Sequence, residues 1–158
     1  MISLARILLV EDDPNDAELA LEALAEYHLA NEVLHLRDGA EALDYLYRRG
    51  AFTARGDDQP SVVLLDLKMP KVDGMEVLQR IKADPDLMRI PVVIMTSSKE
   101  EKDMVNGYGF GANAYIVKPV QFQSFVEAVK CVGAFWALLN EPPPGSLRRP
   151  DKAPGEAP

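Results

Sequence analysis

The sequence is poor in cysteine, in histidine and in long apolar runs. Its single cysteine, Cys131, excludes an intramolecular disulfide, and the two histidines form no Cys/His cluster of zinc spacing. The longest run without a polar residue, Cys131 to Leu139, is nine residues, about half the length of a membrane-spanning helix. The first residues turn acidic after Val10 and contain no signal-peptide cleavage region. These absences predict a reduced, cytoplasmic protein that does not enter a membrane.

Basic residues are also in deficit, with 17 Lys and Arg against 25 Asp and Glu and a net charge of -8. A field of this sign repels phosphate backbones and anionic lipids, so we expect no nucleic-acid partner and no membrane-surface partner. At 158 residues, of which 47% are hydrophobic and 27% charged, the chain has room for one globular domain.

The prolines are concentrated at the end of the chain. Six of the 12 lie in residues 141–158, a stretch whose one large aliphatic side chain is Leu147. Such a stretch cannot bury enough apolar surface to offset the entropy lost on ordering. The composition therefore predicts a folded unit of residues 1–140 and a Pro-rich mobile tail of residues 141–158. We expect no output domain after the folded unit, because the tail carries no helix-turn-helix pattern.

Short apolar runs rich in β-branched residues alternate with helical patterns. The runs predict five strands, at Ala5–Val10, Val33–Arg37, Val62–Asp66, Val92–Thr96 and Ala114–Val117, of which the second alternates like an edge strand. The helical patterns predict a helix from Pro14 with Asp13 as its N-cap, then Ala40–Arg49, Met75–Ala83, Lys99–Phe110 and an extended last helix within residues 121–139. This alternation predicts a flavodoxin-like, doubly wound α/β fold, with a five-stranded parallel sheet in the order 2-1-3-4-5 and helices on both faces. The connection Arg48–Pro60 is long for this fold, which predicts a functional or mobile loop.

Polar residues stand where the predicted strands end. They are Glu11, Asp12 and Asp13 after the first strand, Asp66 at the end of the third, Thr96 at the end of the fourth, and Lys118 after the fifth. In open α/β sheets, ligands bind at the carboxyl ends of the strands, where the strand order reverses. In the predicted order this point lies between the first and third strands, so we expect Glu11, Asp12 and Asp66 to converge there.

Three converging carboxylates repel one another unless a cation joins them. Oxygen ligands without His or Cys favour a hard cation, and a few carboxylates completed by water suit Mg²⁺. Lys118 and the Thr96 hydroxyl would offer a positive charge and a donor across the crevice. Such a set cradles a transferring phosphoryl group, and Asp66 would be the nucleophile that becomes an aspartyl phosphate. The plainer interpretation is that these residues cap helices and turns.

Four motifs occur in order and at appropriate spacing, namely ILLVEDDPND, LLDLKMPKVDG, VVIMTSS and YIVKP. Over residues 4 to about 139 the sequence resembles the receiver domain of two-component response regulators. The resemblance implies that a histidine kinase phosphorylates Asp66 with Mg²⁺ as cofactor, and that the protein is a phosphoacceptor and not an enzyme. It also implies that Glu11 and Asp12 form the acidic pair of the site, with Asp12 the more direct metal ligand.

The same resemblance implies roles for four further residues. The backbone carbonyl of Lys68 would complete the protein's share of the metal ligands. Lys118, followed by a cis peptide to Pro119, would pair with the phosphoryl group. Thr96 and Tyr115 would form a switch pair, in which the hydroxyl moves toward the phosphoryl oxygen and the ring turns inward. The helix at Lys99–Phe110 would respond together with the fifth strand and fifth helix.

The last helix carries a more specific resemblance. KPVQFQSFVEAVKCVGAFWALLNEPP is similar to the same region of single-domain regulators paired with phytochrome-type histidine kinases. Phe135, Trp136 and Leu139 belong to an apolar run that covers more than one core-facing stripe. This predicts a homodimer through the fifth strand and fifth helix, with these residues in the contact. The alternative is a helix whose end folds back on its own domain.

Other functions compete with a signalling phosphoacceptor. A phosphate sink without a direct output would use the same site. A small aspartate-nucleophile phosphatase would carry a second acid two residues after the nucleophile, where Lys68 stands here. A flavin-binding module would need a Ser/Thr/Gly-rich loop in place of the acidic run EDD, and a receiver that no longer accepts phosphate would lack a required residue. His28, His35 and Cys131 are interpreted as structural.

Overall fold

We describe the protein from a computed structural model, which places residues 7–26, 33–56, 59–69, 71–97 and 111–131. The strands are β1 (Ile7–Val10), β2 (Val33–Leu36), β3 (Val62–Asp66), β4 (Val92–Thr96) and β5 (Ala114–Val117). The helices are α1 (Pro14–Ala25), α2 (Gly39–Tyr47), α3 (Gly74–Ala83) and α4 (Phe122–Cys131), with a short 3₁₀ turn at Gly50–Phe52. Among these described helices none is both long and apolar enough to cross a bilayer.

The five strands form one parallel sheet in the order β2-β1-β3-β4-β5. The predicted flavodoxin-like fold and its strand order are confirmed, and β2 is an edge strand as its alternating sequence predicts. Alternate side chains of the inner strands enter two separate cores, because successive residues of a strand face opposite sides of the sheet. The core under α1 and α4 takes Ile7, Leu9, Leu64 and Met95, and the core under α2 and α3 takes Leu8, Val10, Leu65 and Ile94.

Among the described residues, four ends of three elements differ from the predictions by one or two residues. β2 ends at Leu36 and not at Arg37, whose N–H turns away from the sheet to donate to Glu41 Oε1 at 2.8 Å. The helix α2 begins one residue early and stops at Tyr47, because Arg48 adopts a left-handed conformation with φ of 56°. The helix α3 also begins one residue early, since Asp73 caps it by accepting the Glu76 N–H at 3.0 Å.

In the described residues of the long connection after α2, Arg55 makes contacts that anchor the chain. The Arg55 guanidinium lies 4.1 Å above the Tyr45 ring centre, and its Nε donates to the Tyr45 carbonyl at 2.6 Å. A second guanidinium nitrogen donates to Gln59 Oε1 at 2.7 Å. These bonds tie the described residues of the connection to the end of α2. The predicted helix Lys99–Phe110, the end of the last helix after Cys131 and the tail lie outside the described residues.

Candidate functional site

The acidic residues after β1 and at the end of β3 meet at the carboxyl edge of the sheet. Val10 pairs with Leu65 in the parallel register, so Glu11 and Asp66 come next at the same level. Carboxylate oxygens of Glu11, Asp12 and Asp66 all lie within 4.8 Å of one another. Glu11 and Asp66 expose only 1% and 4% of their surface, whereas Asp12 is exposed. The expected convergence of the three carboxylates is therefore present, with one of them at the mouth of the site.

The turn that carries Glu11 is held by a backbone bond to β2 and by a bond from the Asp13 backbone to the Glu11 side chain. The Glu11 N–H donates to the Leu36 carbonyl at 3.0 Å, and Glu11 Oε2 accepts the Asp13 N–H at 3.1 Å. Asp13 then caps α1, because its Oδ1 accepts the N–H groups of Asn15 and Asp16 at 2.8 and 3.1 Å. The acidic run is thus both a helix cap and one wall of the site.

Lys118 supplies the positive charge opposite this wall. Its Nζ lies 3.0 Å from Glu11 Oε1, 3.0 Å from Asp66 Oδ1 and 3.1 Å from Asp16 Oδ2. Its backbone N–H donates to the Thr96 carbonyl at 2.8 Å, which ties the end of β5 to the end of β4. The peptide from Lys118 to Pro119 is cis, as the resemblance implies. One ammonium group therefore joins carboxylates from the turn after β1, the end of β3 and the first turn of α1.

Burial shifts the protonation of both inner carboxylates in the same direction. Removal from water raises the pKa of Glu11 to about 7, and contact with Lys118 offsets only part of this effect. Burial likewise raises the pKa of Asp66 above its ordinary value against the same ammonium. Burial acts to lower the pKa of Lys118, but its contacts with Glu11 and Asp66 outweigh that effect and hold it above the ordinary value. The single positive charge of Lys118 therefore does not fully compensate the two buried carboxylates of Glu11 and Asp66.

The donor set fits a divalent cation. Glu11 Oε1 is fully buried and approaches Lys118 without the geometry of a hydrogen bond, so it retains a free lone pair. The three clustered groups are all carboxylates, which are the ligands that Mg²⁺ and Mn²⁺ prefer over Cys and His sites. A bound cation would supply the positive charge that Lys118 alone does not.

The comparisons with known proteins agree with this site and with the sheet. Residues 7–130 match the family described as the response regulator receiver domain. Response regulator Rcp1 of Synechocystis sp. is 39% identical over 130 residues, which are 82% of this chain and 87% of that protein. The chain belongs to the response regulator receiver domains.

Solved structures extend the likeness to regulators named after phytochromes. The bacteriophytochrome response regulator RtBRR is 59% identical, with a TM-score of 0.81 over 90% of this chain and 86% of that one. The phosphorylated cyanobacterial phytochrome response regulator RcpA is 41% identical, with a TM-score of 0.68 over 85% and 94% of the two chains. The Mn²⁺-bound form of Rcp1 has a TM-score of 0.65 over 82% and 92%. This receiver domain is therefore related to phytochrome-associated regulators.

The two residues expected to form a switch pair lie on one face of the sheet. Thr96 is fully buried at the end of β4 and shares its face with Ile94, two residues earlier. Tyr115 pairs with Ile94 across the β4–β5 ladder and packs, half-buried, against the core under α2 and α3. A change at Thr96 and a change at Tyr115 would therefore act on the same side of this receiver domain.

The loop after β3 closes the site from the side of α3. The backbone N–H of Lys68 donates to the Asp66 carboxylate, while the Lys68 side chain is exposed. The Gly74 N–H donates to the Leu67 carbonyl at 2.9 Å, and a Cβ on Gly74 would overlap the carbonyl oxygen of Asp66. A glycine is required at this close approach, because any side chain would push α3 away from the end of β3.

Three residues of the site were missed in the sequence. Asp16 contacts Lys118 from α1, His35 bonds the Glu11 carbonyl from β2, and Gly74 packs on Asp66. Asp16 lies in the first turn of α1, whereas Asp12 precedes the N-cap Asp13 and stands outside the helix, so helical spacing does not link the two residues. Nothing in the order of residues indicates the Asp16 contact or the His35 contact. Phe135, Trp136 and Leu139, the predicted dimer contacts, lie outside the described residues.

Proposed function

We propose that this chain is a response regulator that accepts a phosphoryl group on Asp66 from a histidine kinase and changes a protein-interaction face in response. One arrangement supports it above all others, a buried Asp66 carboxylate with Lys118 Nζ at 3.0 Å and two further carboxylates within 4.8 Å. A buried carboxylate of this kind is a nucleophile with charge stabilisation already in place. Receiver domains are in general phosphoacceptors and not enzymes.

The transfer itself needs one nucleophile and a set of positive groups. An Asp66 oxygen attacks the phosphorus of a phosphohistidine, the new P–O bond forms as the P–N bond breaks, and the imidazole leaves with the bonding electron pair. Lys118 is near enough to Asp66 to pair with an oxygen of the transferred group. Bound Mg²⁺, held by Glu11, Asp12, Asp66 and the Lys68 carbonyl, would neutralise the developing charge on the phosphoryl oxygens. Mn²⁺ binding by the related Rcp1 supports this choice of metal class.

The response would pass from the phosphoryl group to the face that holds Thr96 and Tyr115. An aspartyl phosphate adds charge and acceptor oxygens next to the end of β4. The Thr96 hydroxyl would move toward a phosphoryl oxygen and Tyr115 would turn inward behind it, because both residues lie on the same side of the sheet. The surface that changes would be β5, the helix after it and the segment Lys99–Phe110.

A phytochrome-type histidine kinase is the proposed phosphodonor. This proposal relies on the relatives that carry phytochrome in their names, above all the regulator that is 59% identical over most of both chains. A neighbouring gene for a phytochrome-like histidine kinase would support it. The direct test is transfer from the purified, labelled kinase, which should exceed transfer from an unrelated kinase.

A homodimer through β5 and the last helix is the proposed assembly. β5 is an edge strand in the described part of the sheet, and its last residue, Val117, exposes 47% of its surface. A shallow groove between β5 and α4 is lined by Val117, Ser124 and Ala128. Light scattering at micromolar concentration should give more than the mass of one chain. A clean monomer, with and without a phosphoryl analogue, would refute the dimer.

The phosphatase alternative is disfavoured at one position. Such an enzyme would need an acid two residues after Asp66, and the side chain there is the exposed Lys68. A phosphate sink without a direct output uses the same phosphoryl-transfer chemistry as a signalling regulator and differs only in having no downstream partner. The two are separated by whether phosphorylation changes the mass of the assembly or the binding of a partner.

The proposal is tested by incubating the protein with Mg²⁺ and a small phosphodonor and measuring intact mass. Wild type should gain one phosphoryl group, and Asp66→Asn should gain none. Asp86→Asn is a matched control, because Asp86 is an exposed acid outside the site and should behave like wild type. A phosphoryl gain in Asp66→Asn equal to that of wild type, or no gain in wild type, would overturn the assignment.

A further inference from the structure

His35 makes a specific bond to the acidic turn from the neighbouring edge strand. Its Nε2 lies 2.8 Å from the carbonyl oxygen of Glu11, within ordinary hydrogen-bond distance. A carbonyl oxygen only accepts hydrogen bonds, so Nε2 carries the proton and the imidazole is the donor. The bond joins residues that are 24 positions apart in the chain, and it lies beside the candidate metal site.

The His35 bond continues the pairing of β1 with β2 beyond the last backbone hydrogen bond between them. The last backbone contact is the Glu11 N–H to the Leu36 carbonyl, at 3.0 Å. After Leu36 the chain turns away, since the Arg37 N–H donates to Glu41 and Asp38 caps α2. The next acceptor on the β1 side is the Glu11 carbonyl, and the imidazole of His35 occupies it. Both sides of the Glu11 backbone are therefore held by β2.

The orientation of Asp12 depends on that backbone. Glu11 has its own side-chain anchors, because Oε2 accepts the Asp13 N–H and Oε1 lies beside Lys118. The exposed Asp12 carboxylate accepts no hydrogen bond from the residues that the structure describes, so the backbone around Asp12 alone sets the position from which its side chain approaches the other two carboxylates. A carbonyl fixed by His35 fixes that peptide plane, because the peptide group is rigid and planar.

We infer that His35 is a positioning residue of the metal site, whose imidazole holds the Glu11–Asp12 peptide so that the Asp12 carboxylate faces the cation. The inference relies on the proposed function for the presence of a divalent cation. Outer groups that orient metal ligands commonly change metal affinity by tenfold or more when removed. The competing explanation is that His35 only stabilises the edge of the sheet, which would change folding and not metal affinity.

The test is metal affinity in the absence of any phosphodonor. Mg²⁺ or Mn²⁺ alone is titrated into the full chain by calorimetry, for wild type, His35→Leu and His35→Gln. The amide nitrogen of Gln occupies about the position of His Nε2, so this variant keeps the donor, whereas Leu removes it. Both variants are uncharged, and their difference therefore reports the hydrogen bond. We expect His35→Leu to bind the cation about tenfold more weakly, and His35→Gln to recover most of the wild-type affinity.

Two controls separate positioning from stability. Val33→Ala loosens the same edge strand two residues away from His35, and it should lower the unfolding midpoint without changing metal affinity. If His35→Leu does not fold, His35→Asn replaces it, because its shorter amide does not reach the Glu11 carbonyl. Affinity of wild-type strength in His35→Leu or His35→Asn, or equal weakening in His35→Gln, would overturn the positioning role while the proposed function stands. Failure of the wild type to bind either cation would overturn both.

Discussion

Without metal, the protein should lose stability as the pH rises through the range in which Glu11 ionises. Glu11 exposes 1% of its surface, and burial raises its pKa from 4.5 to about 7 in the folded protein. A raised carboxyl pKa means that the folded state holds the proton more tightly than the unfolded state. The contribution of this group to stability is then greatest below pH 4.5 and is lost as the pH rises to about 7.

The expected size of the effect is set by the same two values. A displacement from 4.5 to about 7, at about 1.4 kcal/mol for each unit of pH, corresponds to about 3 kcal/mol of unfolding free energy. For a chain of this length that amounts to a change in Tm of about 6–12 °C. Asp66 contributes in the same direction because burial raises its pKa as well. Lys118 contributes no slope in this range, since its raised pKa lies far above it.

The assay is urea unfolding followed by far-UV circular dichroism, in a chelator, across this pH range. Glu11→Gln removes the ionising group, so the difference between wild type and this variant isolates the contribution of Glu11 from that of the other acids. Glu22→Gln, at an exposed position on α1, is the matched control and should keep the wild-type slope. Excess Mg²⁺ should oppose the loss of stability, because the metal binds the ionised carboxylates. Identical pH dependence in wild type and Glu11→Gln would refute the reasoning.

Three further substitutions separate the parts of the site. Lys118→Ala should leave metal binding largely intact and abolish the conformational response to phosphorylation. The response is measured by amide chemical shifts with a phosphoryl analogue. An unchanged response would show the role of the lysine to be wrong. Gly74→Ala should destabilise the protein by about 2 kcal/mol or more in urea unfolding and slow phosphorylation, because the added Cβ meets the Asp66 carbonyl. Wild-type values for both quantities would contradict that packing. Lys82 Nζ donates to the Ile90 carbonyl and to Asn113 Oδ1 at the opposite end of the sheet from the site. Lys82→Met should therefore lower the free energy of unfolding by about 1–3 kcal/mol and leave the rate of phosphorylation unchanged. Slower phosphorylation would indicate coupling across the sheet.

The buried inner strands were the easiest elements to predict from sequence. The runs VVLLD and VVIMT are apolar up to their last residue, and β3 and β4 have the predicted bounds because nothing but burial on both faces defines them. The edge strand β2 was predicted one residue too long. Its end depends on a bond from the Arg37 N–H to the Glu41 side chain, which replaces a bond to the sheet. The hydrophobic pattern of the sequence does not predict such a bond.

Some residues of the site were likewise predictable from sequence, and others were not. Glu11, Asp12, Asp66 and Lys118 stand at strand ends, and the rule that parallel strands present these ends at one edge was enough to bring them together. Asp16 and His35 reach the site through side-chain direction across 102 and 24 residues of chain. Such contacts depend on the packing of α1 and on where β2 leaves the sheet. Hydrophobic periodicity and motif spacing predict neither the packing of α1 nor the point where β2 leaves the sheet.

The most direct test of the account is to identify which residue carries the phosphoryl group. The protein is phosphorylated with Mg²⁺ and a small phosphodonor, the acyl phosphate is reduced with borohydride, and the digested chain is sequenced by mass spectrometry. The reduction converts a phosphorylated aspartate to homoserine and leaves free carboxylates unchanged. The account predicts homoserine at position 66 and unmodified Glu11, Asp12 and Asp16. Unmodified Asp66 in a phosphorylated protein, or modification at one of the other three acids, would contradict it.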